Sequence, residues 1–554
     1  MKLSDYVVKF IEEQTNSIFL LSGGGIMHLV DSVGKSNLNS YCCHHEQTVA
    51  IATEGYSRIK TDGIGVCLVT TGPGGTNAIT GVAGAWLDSI PMLVISGQVK
   101  RDNIIPRNSN GKPLIRQLGF QELNVIDMVK PITKYAVMVE NENEIKYHLE
   151  KAIYLAKDGR PGPVWIEIPL DVQATEIDPD SLRSFEKPIQ EQQNDIPMNE
   201  VIQALNQAQR PLLIAGNGIR LAGGEEILWK MLDKIKINTV TPIFTADDLV
   251  THEYSYYLGR QGMPGNKSAN YAVDNCDLLL VIGERMQLTQ TSYDYENFAP
   301  QSKKIMVDID LEEMKKKTFL PDIAINCDAK VFLEKLNEQD INLSRWDLQV
   351  EDIDTEKYSC DPGFVNVYKF LEELGKHSQG YHVATANGTA SLAPHQALKI
   401  IRGQRFLTNA GLGHMGSGLP LAIGACVADG KKSVICSEGD GSIMLNLQDL
   451  QTVLHHGLPL KIFIYNNNGY HSIRSTHMTY FDNVFAADPE SGVSIPDFSK
   501  IIPAWGLKYE RINNDSELDK VRQVMETSGP IVCELMIDPD QKMISKWSAG
   551  VLKE

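Results

Sequence analysis

Short apolar runs alternate with longer amphipathic stretches along most of the chain, and glycine or proline separates many of them. This alternation predicts parallel β-strands that helices cover on both faces. The predicted strands are Gly65–Thr71, Met92–Ser96, Val164–Ile168, Pro211–Ala215, Leu278–Ile282, Lys304–Ile309, Ser433–Cys436, Lys461–Tyr465 and Ile531–Met536. A helix is predicted over Thr76–Leu87, after the turn Gly72–Gly75.

Two polar, charged stretches, Ile177–Pro197 and Asn337–Lys357, interrupt the alternation and mark predicted domain boundaries. The chain has 554 residues, and domains usually have about 100–200. We therefore predict three α/β domains with doubly wound parallel sheets, over residues 1–176, 195–340 and 355–554.

The net charge of −18 argues against a nucleic-acid binder, which needs a basic face. The nine cysteines include no C-x-x-C pair, so no structural zinc or redox site is predicted, and their scatter fits a reducing compartment. The segment Met1–Phe10 is too polar for a signal peptide. No apolar run reaches the roughly 18–20 residues that span a membrane. These features predict a cytoplasmic protein.

Two glycine-rich turns carry the strongest chemical signal. Glu438–Ser442 (EGDGS) and Asn466–Gly469 (NNNG) each follow a predicted strand. In such turns backbone N–H groups can approach a phosphate, and open α/β sheets bind ligands at the carboxyl ends of their strands. Mg²⁺ prefers oxygen ligands, which Asp440, Asn467 and the Gly469 carbonyl could supply. Either turn alone could be purely structural.

The paired turns resemble the diphosphate–magnesium motif of thiamine-diphosphate (ThDP) enzymes. Further motifs are similar to the acetolactate synthase branch over nearly the full chain. They are Gly23–Gly25, His45–Gln47, Ala52–Tyr56, Thr71–Asn77, Leu87–Pro91, Gly97–Val99, Gly119–Glu122, Gly159–Val164 and Gly411–Gly416. The resemblance implies three α/β domains, ThDP and Mg²⁺ as cofactors, and a homodimer or homotetramer. The first domain of one subunit would face the third domain of another across the active site.

The resemblance also implies residue roles. Glu46 would hydrogen-bond the aminopyrimidine ring and activate the cofactor, and Met415 would wedge beneath it. Gln121 and His414 are the other expected catalytic residues, and His44, His45, His471 and His477 are further candidates for proton relay. The expected ThDP contacts are Gly23, Gly24, Glu46, Thr71, Pro73, Asn77, Asn387, Gly388, Thr389, Gly413, Met415, Gly439, Asp440, Gly441, Ser442, Asn467, Gly469, Tyr470 and His471. Thr389 and Ala390 stand where the family has Gln and His, which weakens a phosphate role for their side chains.

Acetolactate synthases bind FAD in the middle domain. The corresponding positions here are Gly216, Gly218, Gly283, Arg285, Asp308, Asp310 and Asp328. Gln287 and Thr289 replace the next Asp and Arg of the family. Because each matching turn also ends a strand and a lone G-x-G is a weak signal, FAD binding and its loss both remain open.

The resemblance implies decarboxylation of a 2-oxo acid, expected to be pyruvate, and transfer of the two-carbon unit to a carbonyl acceptor. Thr476 stands where acetolactate synthases have Trp, Leu170 where they have Lys, and Ser22 where they have Pro. A wider, more polar pocket favours a hydroxyl-rich acceptor. The runs Asn466–Arg474, Ser491–Val493 and Pro496–Phe498 are similar to homologues associated with surface-polysaccharide sugars. We therefore expect a keto-sugar nucleotide as the acceptor.

Three alternatives remain: acetolactate synthase proper, a ThDP-dependent 2-oxo acid decarboxylase or diketone hydrolase, and a non-enzymatic ThDP-binding scaffold. The presence of Glu46 together with Asp440 and Asn467 argues against the scaffold. Arg474 could bind an acidic substrate or a diphosphate, since its planar guanidinium suits both. A surface salt bridge would explain Arg474 equally well.

Overall fold

The computed structural model describes residues 1–61, 63–188, 196–246, 248–351 and 353–552. The strands are β1 (Ser17–Leu20), β2 (Asn39–Cys42), β3 (Gly65–Val69), β4 (Met92–Gln98), β5 (Tyr135–Met138), β6 (Pro163–Pro169), β7 (Pro211–Ala215), β8 (Asn238–Pro242), β9 (Tyr257–Gln261), β10 (Leu278–Ile282), β11 (Lys303–Asp308), β12 (Ile323–Asn326), β13 (His382–Thr385), β14 (Phe406–Leu407), β15 (Val434–Gly439), β16 (Lys461–Asn466), β17 (Lys508–Ile512) and β18 (Ile531–Met536).

Helices alternate with these strands. They are α1 (Leu3–Glu12), α2 (Met27–Gly34), α3 (Glu46–Ile59), α4 (Pro73–Leu87), α5 (Val125–Val129), α6 (Ile145–Lys157), α7 (Leu170–Ala174), α8 (Met198–Gln207), α9 (Gly218–Leu221), α10 (Glu225–Ile235), α11 (Lys267–Asn275), α12 (Leu288–Thr291), α13 (Ala329–Asn337), α14 (Val367–His377), α15 (Thr389–Ala397), α16 (Gly418–Ala428), α17 (Asp440–Ile443), α18 (Leu450–His455), α19 (His471–Tyr480), α20 (Phe498–Ala504) and α21 (Lys520–Glu526). Within the described ranges, none is long and apolar enough to cross a membrane.

The strands form three six-stranded parallel sheets, which confirms the predicted fold class. The first sheet has the order β2-β1-β3-β4-β6-β5, and the third repeats this order as β14-β13-β15-β16-β18-β17. The middle sheet, β12-β11-β10-β7-β8-β9, has the doubly wound dinucleotide-binding order. Its strand order reverses between β7 and β10, where such folds place their ligand.

The two polar stretches differ from simple linkers. Ile177 and Leu182 are buried in the core of the first domain, whereas residues 189–195 of the first stretch lie outside the described residues. The second stretch runs along the middle domain, and Leu343 and Trp346 pack against its cores. The chain end also returns there, because the Trp547 indole N–H donates to Asp274 at 3.0 Å. The last residues of the predicted third domain therefore pack on the middle one.

The first and third domains share one hydrophobic core, in which α3 crosses α16. Two glycines allow this approach. A Cβ on Gly424 would lie 1.9 Å from the Ala52 carbonyl oxygen, and a Cβ on Gly55 would lie 2.5 Å from that of Leu421. The backbones are therefore closer than any larger residue permits.

Buried arginines join the middle domain to the third. Arg260 donates from Nη1 to the carbonyl oxygens of His395 and Leu398, each at 3.0 Å. Asp248 accepts from Arg220 at 2.9 Å and from Arg405 at 2.6 Å. Burying such charges is tolerated because each has hydrogen-bonded partners.

Gly424→Ala should destabilise the protein, because the added methyl must displace the backbone of α3. Overpacking of this kind costs roughly 1–3 kcal/mol, which thermal or urea unfolding would detect. Gly34→Ala is the matched control, since a Cβ at Gly34 meets nothing within 4 Å. Equal unfolding midpoints for the two variants would contradict the close contact of α3 and α16.

Candidate cofactor and active site

The proposed metal ligands lie where β15 and β16 end. Asp440 is buried; its Oδ2 accepts from the Gly469 N–H at 2.9 Å and its Oδ1 from the Gly441 N–H at 2.7 Å. Burial raises the pKa of the Asp440 carboxyl to about 6. The Asn467 Oδ1 is also buried and has no hydrogen-bond partner among the described residues. Because buried polar atoms normally have partners, this oxygen together with a buried carboxylate fits a hard cation such as Mg²⁺.

This donor set is not a cluster of acids or imidazoles. Across the described ranges, no group of three or more His, Cys, Asp and Glu side chains could hold a metal. The candidate set is instead one carboxylate, one amide oxygen and one backbone carbonyl. Such a sparse set suits Mg²⁺, which usually keeps water and phosphate oxygens as its other ligands.

The glycines of the two turns are sterically required. A Cβ on Gly441 would lie 2.2 Å from the Tyr470 ring, and a Cβ on Gly469 would lie 2.1 Å from the Ala487 carbonyl oxygen. Gly469 also has a φ of +134°, a conformation that favours glycine. Contacts within the protein therefore require glycine at both positions, because a larger residue would displace Tyr470 or the Ala487 backbone.

A second loop faces these turns. Gly388, with φ +62°, precedes α15. A Cβ added to Gly388 would meet only the Ser472 hydroxyl, at 3.6 Å, among the described residues. Asn387 Nδ2 donates to the Gly413 carbonyl, and Thr389 Oγ1 lies 3.1 Å from His471 Nδ1. The structure thus brings Asn387, Gly388, Thr389, Gly413 and His471 together, as a shared ligand requires.

The segment that contains His414 and Met415 is fixed to the EGDGS turn, because the Gly416 N–H donates to Ser442 Oγ at 2.8 Å. Met415 is half-buried. Burial lowers the pKa of His414 to about 4, and neither ring nitrogen has a hydrogen-bond partner in the part of the chain described. His414 is therefore neutral at pH 7 and can accept a proton or a hydrogen bond there.

The first domain contributes a separate group of predicted residues. Glu46 begins α3, is buried, and accepts a hydrogen bond from Asn77 Nδ2 at 3.0 Å. Thr71 precedes α4, which begins at Pro73. The glycine loop packs on this turn: a Cβ on Gly25 would lie 1.9 Å from Thr71 Oγ1, and a Cβ on Gly23 would lie 2.5 Å from Thr70 Oγ1, whereas a Cβ on Gly24 would meet nothing within 4 Å.

Gln121 lies on a strained loop next to the same turn. Its φ is +63°, and a Cβ on Gly72 would lie 2.2 Å from its carbonyl oxygen. The buried Glu122 carboxylate holds the loop by accepting backbone N–H bonds from Ile105 at 2.6 Å and Leu118 at 2.9 Å. Phe120 is left 87% exposed. The sequence motif marked this loop but did not reveal Glu122 as its anchor.

Asn446, which sequence reasoning missed, connects the two domains at the site. Its Oδ1 lies 2.9 Å from His45 Nδ1 and accepts from Thr48 Oγ1 at 3.1 Å, and its Nδ2 donates to the Gly416 carbonyl at 2.7 Å. His45 is therefore held by Asn446. The only sequence signal was a polar residue, followed by Asp449, shortly after the glycine-rich turn.

A separate cleft lies where the middle sheet reverses its order. The space within it, including its opening to solvent, is about 840 Å³. Five of the predicted FAD positions line it, namely Gly218, Gly283, Arg285, Asp308 and Asp328. The other two lie outside the lining: Gly216 packs against Gly283, and Asp310 pairs with Arg160 at 3.0 Å.

The charges of this cleft are largely compensated. Arg285 donates to the Leu87 carbonyl oxygen and lies 3.5 Å from Asp88. Burial raises the pKa of Glu284 to about 7 and that of Asp308 to about 6. Glu284 Oε1 has no hydrogen-bond partner within the described ranges. The cleft therefore offers donors and acceptors for a polar ligand in addition to its glycine turns.

Three parallel sheets, glycine-rich turns at the ends of β15 and β16, and the buried Glu46 carboxylate are typical of a cofactor-dependent α/β enzyme. The comparisons with known proteins name the cofactor. Residues 1–128, 198–336 and 386–535 match the N-terminal TPP binding, central and C-terminal TPP binding domains of thiamine pyrophosphate enzymes. Thiamine pyrophosphate is ThDP under its other name.

Curated relatives extend over nearly the whole chain. Acetolactate synthase isozyme 2 large subunit of Escherichia coli (strain K12) is 33% identical, covering 97% of this chain and 96% of its own. The acetolactate synthase large subunit of Cyanidium caldarium is 31% identical, with 95% and 91% covered. A probable acetolactate synthase large subunit of Methanocaldococcus jannaschii is 30% identical, with 98% and 93% covered. The chain belongs to the ThDP-dependent, acetolactate synthase-like enzyme family, which confirms the resemblance.

The burial of neutral His414 should make the free energy of unfolding depend on pH. Its folded-state pKa of about 4 lies below the ordinary 6.5, so acidification below about pH 6.5 protonates the unfolded chain first and destabilises the fold. His414→Gln should flatten the fall in unfolding free energy between pH 6.5 and 4.5, by up to about 1.4 kcal/mol per pH unit. His455→Gln, at an exposed position, should not. Identical pH profiles for wild type and His414→Gln would rule out a buried neutral His414.

Proposed function

We propose that the protein is a Mg²⁺- and ThDP-dependent carboligase that decarboxylates a 2-oxo acid, pyruvate in the first instance, and transfers the two-carbon unit to a carbonyl acceptor. One observation supports the proposal: this chain has both parts of the candidate site. Glu46 is buried at the start of α3, and the Asn467 Oδ1, close to buried Asp440, has no hydrogen-bond partner among the described residues.

The residues divide the work. The Asp440 carboxylate, the Asn467 amide oxygen and the Gly469 carbonyl would hold Mg²⁺, and the glycine turns would admit the diphosphate. When bound, ThDP supplies the carbanion chemistry of decarboxylation and ligation. Glu46 holds a proton at the aminopyrimidine ring, and Asn77 orients its carboxylate. Neutral His414 and Gln121 are placed to accept or orient protons at the substrate.

The acceptor has two candidates. The relatives favour a second 2-oxo acid as the acceptor, because they are named acetolactate synthases and match nearly the whole chain. A hydroxyl-rich carbonyl such as a keto-sugar nucleotide is favoured by α19, in which no residue is buried. Thr476, where the family has Trp, donates to the Ser472 carbonyl and leaves no bulky wall. Polar groups here would discriminate for polar acceptors.

We also propose a homodimer or homotetramer in the cytoplasm. Large apolar side chains are exposed on two separate surfaces. One surface, on the first domain, includes Leu118 and Phe120; the other follows α19 and includes Phe481 and Phe485. Apolar patches of this kind commonly mark interfaces, and a second copy would cover both. The nine free thiols suit a reducing compartment.

Turnover with product identification tests the carboligase. Purified protein with pyruvate, ThDP and Mg²⁺ should release CO₂ and form a product that carries two pyruvate carbons, and EDTA should abolish this. Acetolactate from pyruvate alone would identify a 2-oxo acid acceptor, whereas an adduct formed only with a keto-sugar nucleotide would identify the second candidate. Acetaldehyde or a ring-opened acid as the product would contradict carboligation.

Glu46→Gln should lower kcat by about 10²–10⁴-fold, the usual contribution of a general acid–base group, without changing the unfolding temperature. Glu200→Gln is the control, because Glu200 is an exposed acid in the first turn of α8. Unchanged turnover in Glu46→Gln would sink the catalytic assignment.

We further propose that the middle cleft binds FAD. The turns at Gly218 and Gly283 touch, since a Cβ on Gly218 would lie 2.7 Å from the Gly283 Cα, and they lie at the switch point that binds dinucleotides in this fold. FAD added at about 100 times its Kd should stabilise the fold by about 2.7 kcal/mol. Denatured holoprotein should release FAD that mass spectrometry identifies. No stabilisation by FAD and no released flavin would show that this cleft has lost the cofactor.

A further inference from the structure

Arg474 lies on α19, five residues after the turn that carries the proposed metal ligands. Among the described residues, its side chain forms no salt bridge with an acidic partner. Its Nη2 donates to the Asn467 carbonyl oxygen at 2.7 Å, and its Nη1 lies 3.4 Å from that of Asn468. A longer contact of 3.5 Å reaches the Pro539 carbonyl. The planar guanidinium therefore spans two consecutive carbonyls, a geometry that a lysine cannot reproduce.

The turn has an uncommon backbone conformation and is held from two sides. Asn468 has a φ of +57° and Gly469 a φ of +134°, conformations that asparagine and glycine tolerate better than other residues. On the sheet side, Asn466 Oδ1 accepts from the Asn468 N–H at 2.9 Å, and Asn466 Nδ2 donates to buried Glu534 at 2.6 Å. Arg474 supplies the support on the opposite, helix side.

Charge alone would make Arg474 unfavourable at this place. A guanidinium near a divalent cation repels it. The hydrogen bonds from Arg474 to the turn carbonyls would have to outweigh this repulsion for the cation to bind. They can do so by orienting the metal ligands, as groups just outside a metal's ligands commonly do.

We propose that Arg474 is a positioning residue that fixes the Asn467–Gly469 turn in its cation-binding conformation and does not bind substrate. This inference rests on the proposed Mg²⁺ site and deepens it. The Arg474 Nε, buried and without a hydrogen-bond partner in the described chain, shows that the side chain is held by its two terminal nitrogens. Charge and geometry predict opposite effects of removing the guanidinium, so the sign of the effect decides between them.

The test measures cation binding directly. Metal-free protein with ThDP would be titrated with Mn²⁺, and free Mn²⁺ would be followed by electron paramagnetic resonance. Arg474→Gln and Arg474→Lys should both raise the Mn²⁺ Kd by about 10–100-fold, the usual effect of losing an outer-shell group. At saturating Mn²⁺ and ThDP the KM for pyruvate should equal that of wild type. Arg522→Gln is the control, because Arg522 is exposed on α21 and pairs with Glu526 of the same helix at 2.8 Å.

The outcomes separate cleanly. Tighter Mn²⁺ binding in Arg474→Gln, with Arg474→Lys unchanged, would show that charge dominates and would overturn the proposal. A raised KM for pyruvate with an unchanged Mn²⁺ Kd would make Arg474 a substrate-binding group instead. Absence of Mn²⁺ binding in wild-type protein would overturn the metal site itself. Circular dichroism and unfolding temperatures of all variants would show whether they fold, and α19 buries no residue that the changes would disturb.

Discussion

The crossing of α3 and α16 is the contact on which the candidate site depends. Gly55 and Gly424 remove the side chains that would separate the helices, so the first and third domains merge into one core. Each helix begins at or near a segment of the candidate site: α3 at Glu46, and α16 at Gly418, two residues after Gly416. Fixing the crossing therefore fixes where Glu46 lies relative to the third domain of the same chain, and positioning of this kind is what the proposed catalysis requires.

Buried polar contacts then set the finer geometry. Asn446 bridges His45, Thr48 and Gly416. Asp88 accepts from the backbone N–H groups of Ala410 and Gly411 and pairs with Arg58. Such groups are costly to leave unpaired in a low-dielectric interior. Each contact therefore disfavours sliding of one domain over the other, which apolar packing alone would permit.

The sequence was sufficient for the sheets with continuous apolar runs and for the glycine motifs. Pro211–Ala215, Leu278–Ile282 and Ile531–Met536 were predicted with their observed bounds, because strands buried on both faces are mostly apolar. It was insufficient for strands such as β2, where only one of four residues is buried.

The candidate site shows the same division. Residues that lie in motifs, such as Asp440 and Glu46, could be proposed from the sequence, and their roles stay predictions. Supporting residues could not, because their partners are distant in the chain: Asn446 is about 400 positions from His45. The predicted helix start at Thr76 was late, since Pro73 occupies the first turn, where proline is tolerated. The domain boundaries, the cofactor contacts and the acceptor stay predictions from the sequence.

The beginning and the end of α19 differ in their contacts with the candidate site. The metal turn precedes the helix directly, and Arg474 and the Thr389–His471 contact fasten its first turn and a half to the cofactor site. Thr476 and Thr479 lie beyond these contacts, are exposed, and donate to carbonyl groups of their own helix. Substitutions at these two positions leave the contacts of Arg474 and His471 in place. The distal part of this helix can therefore change the surface that we propose faces the acceptor without moving the proposed metal turn.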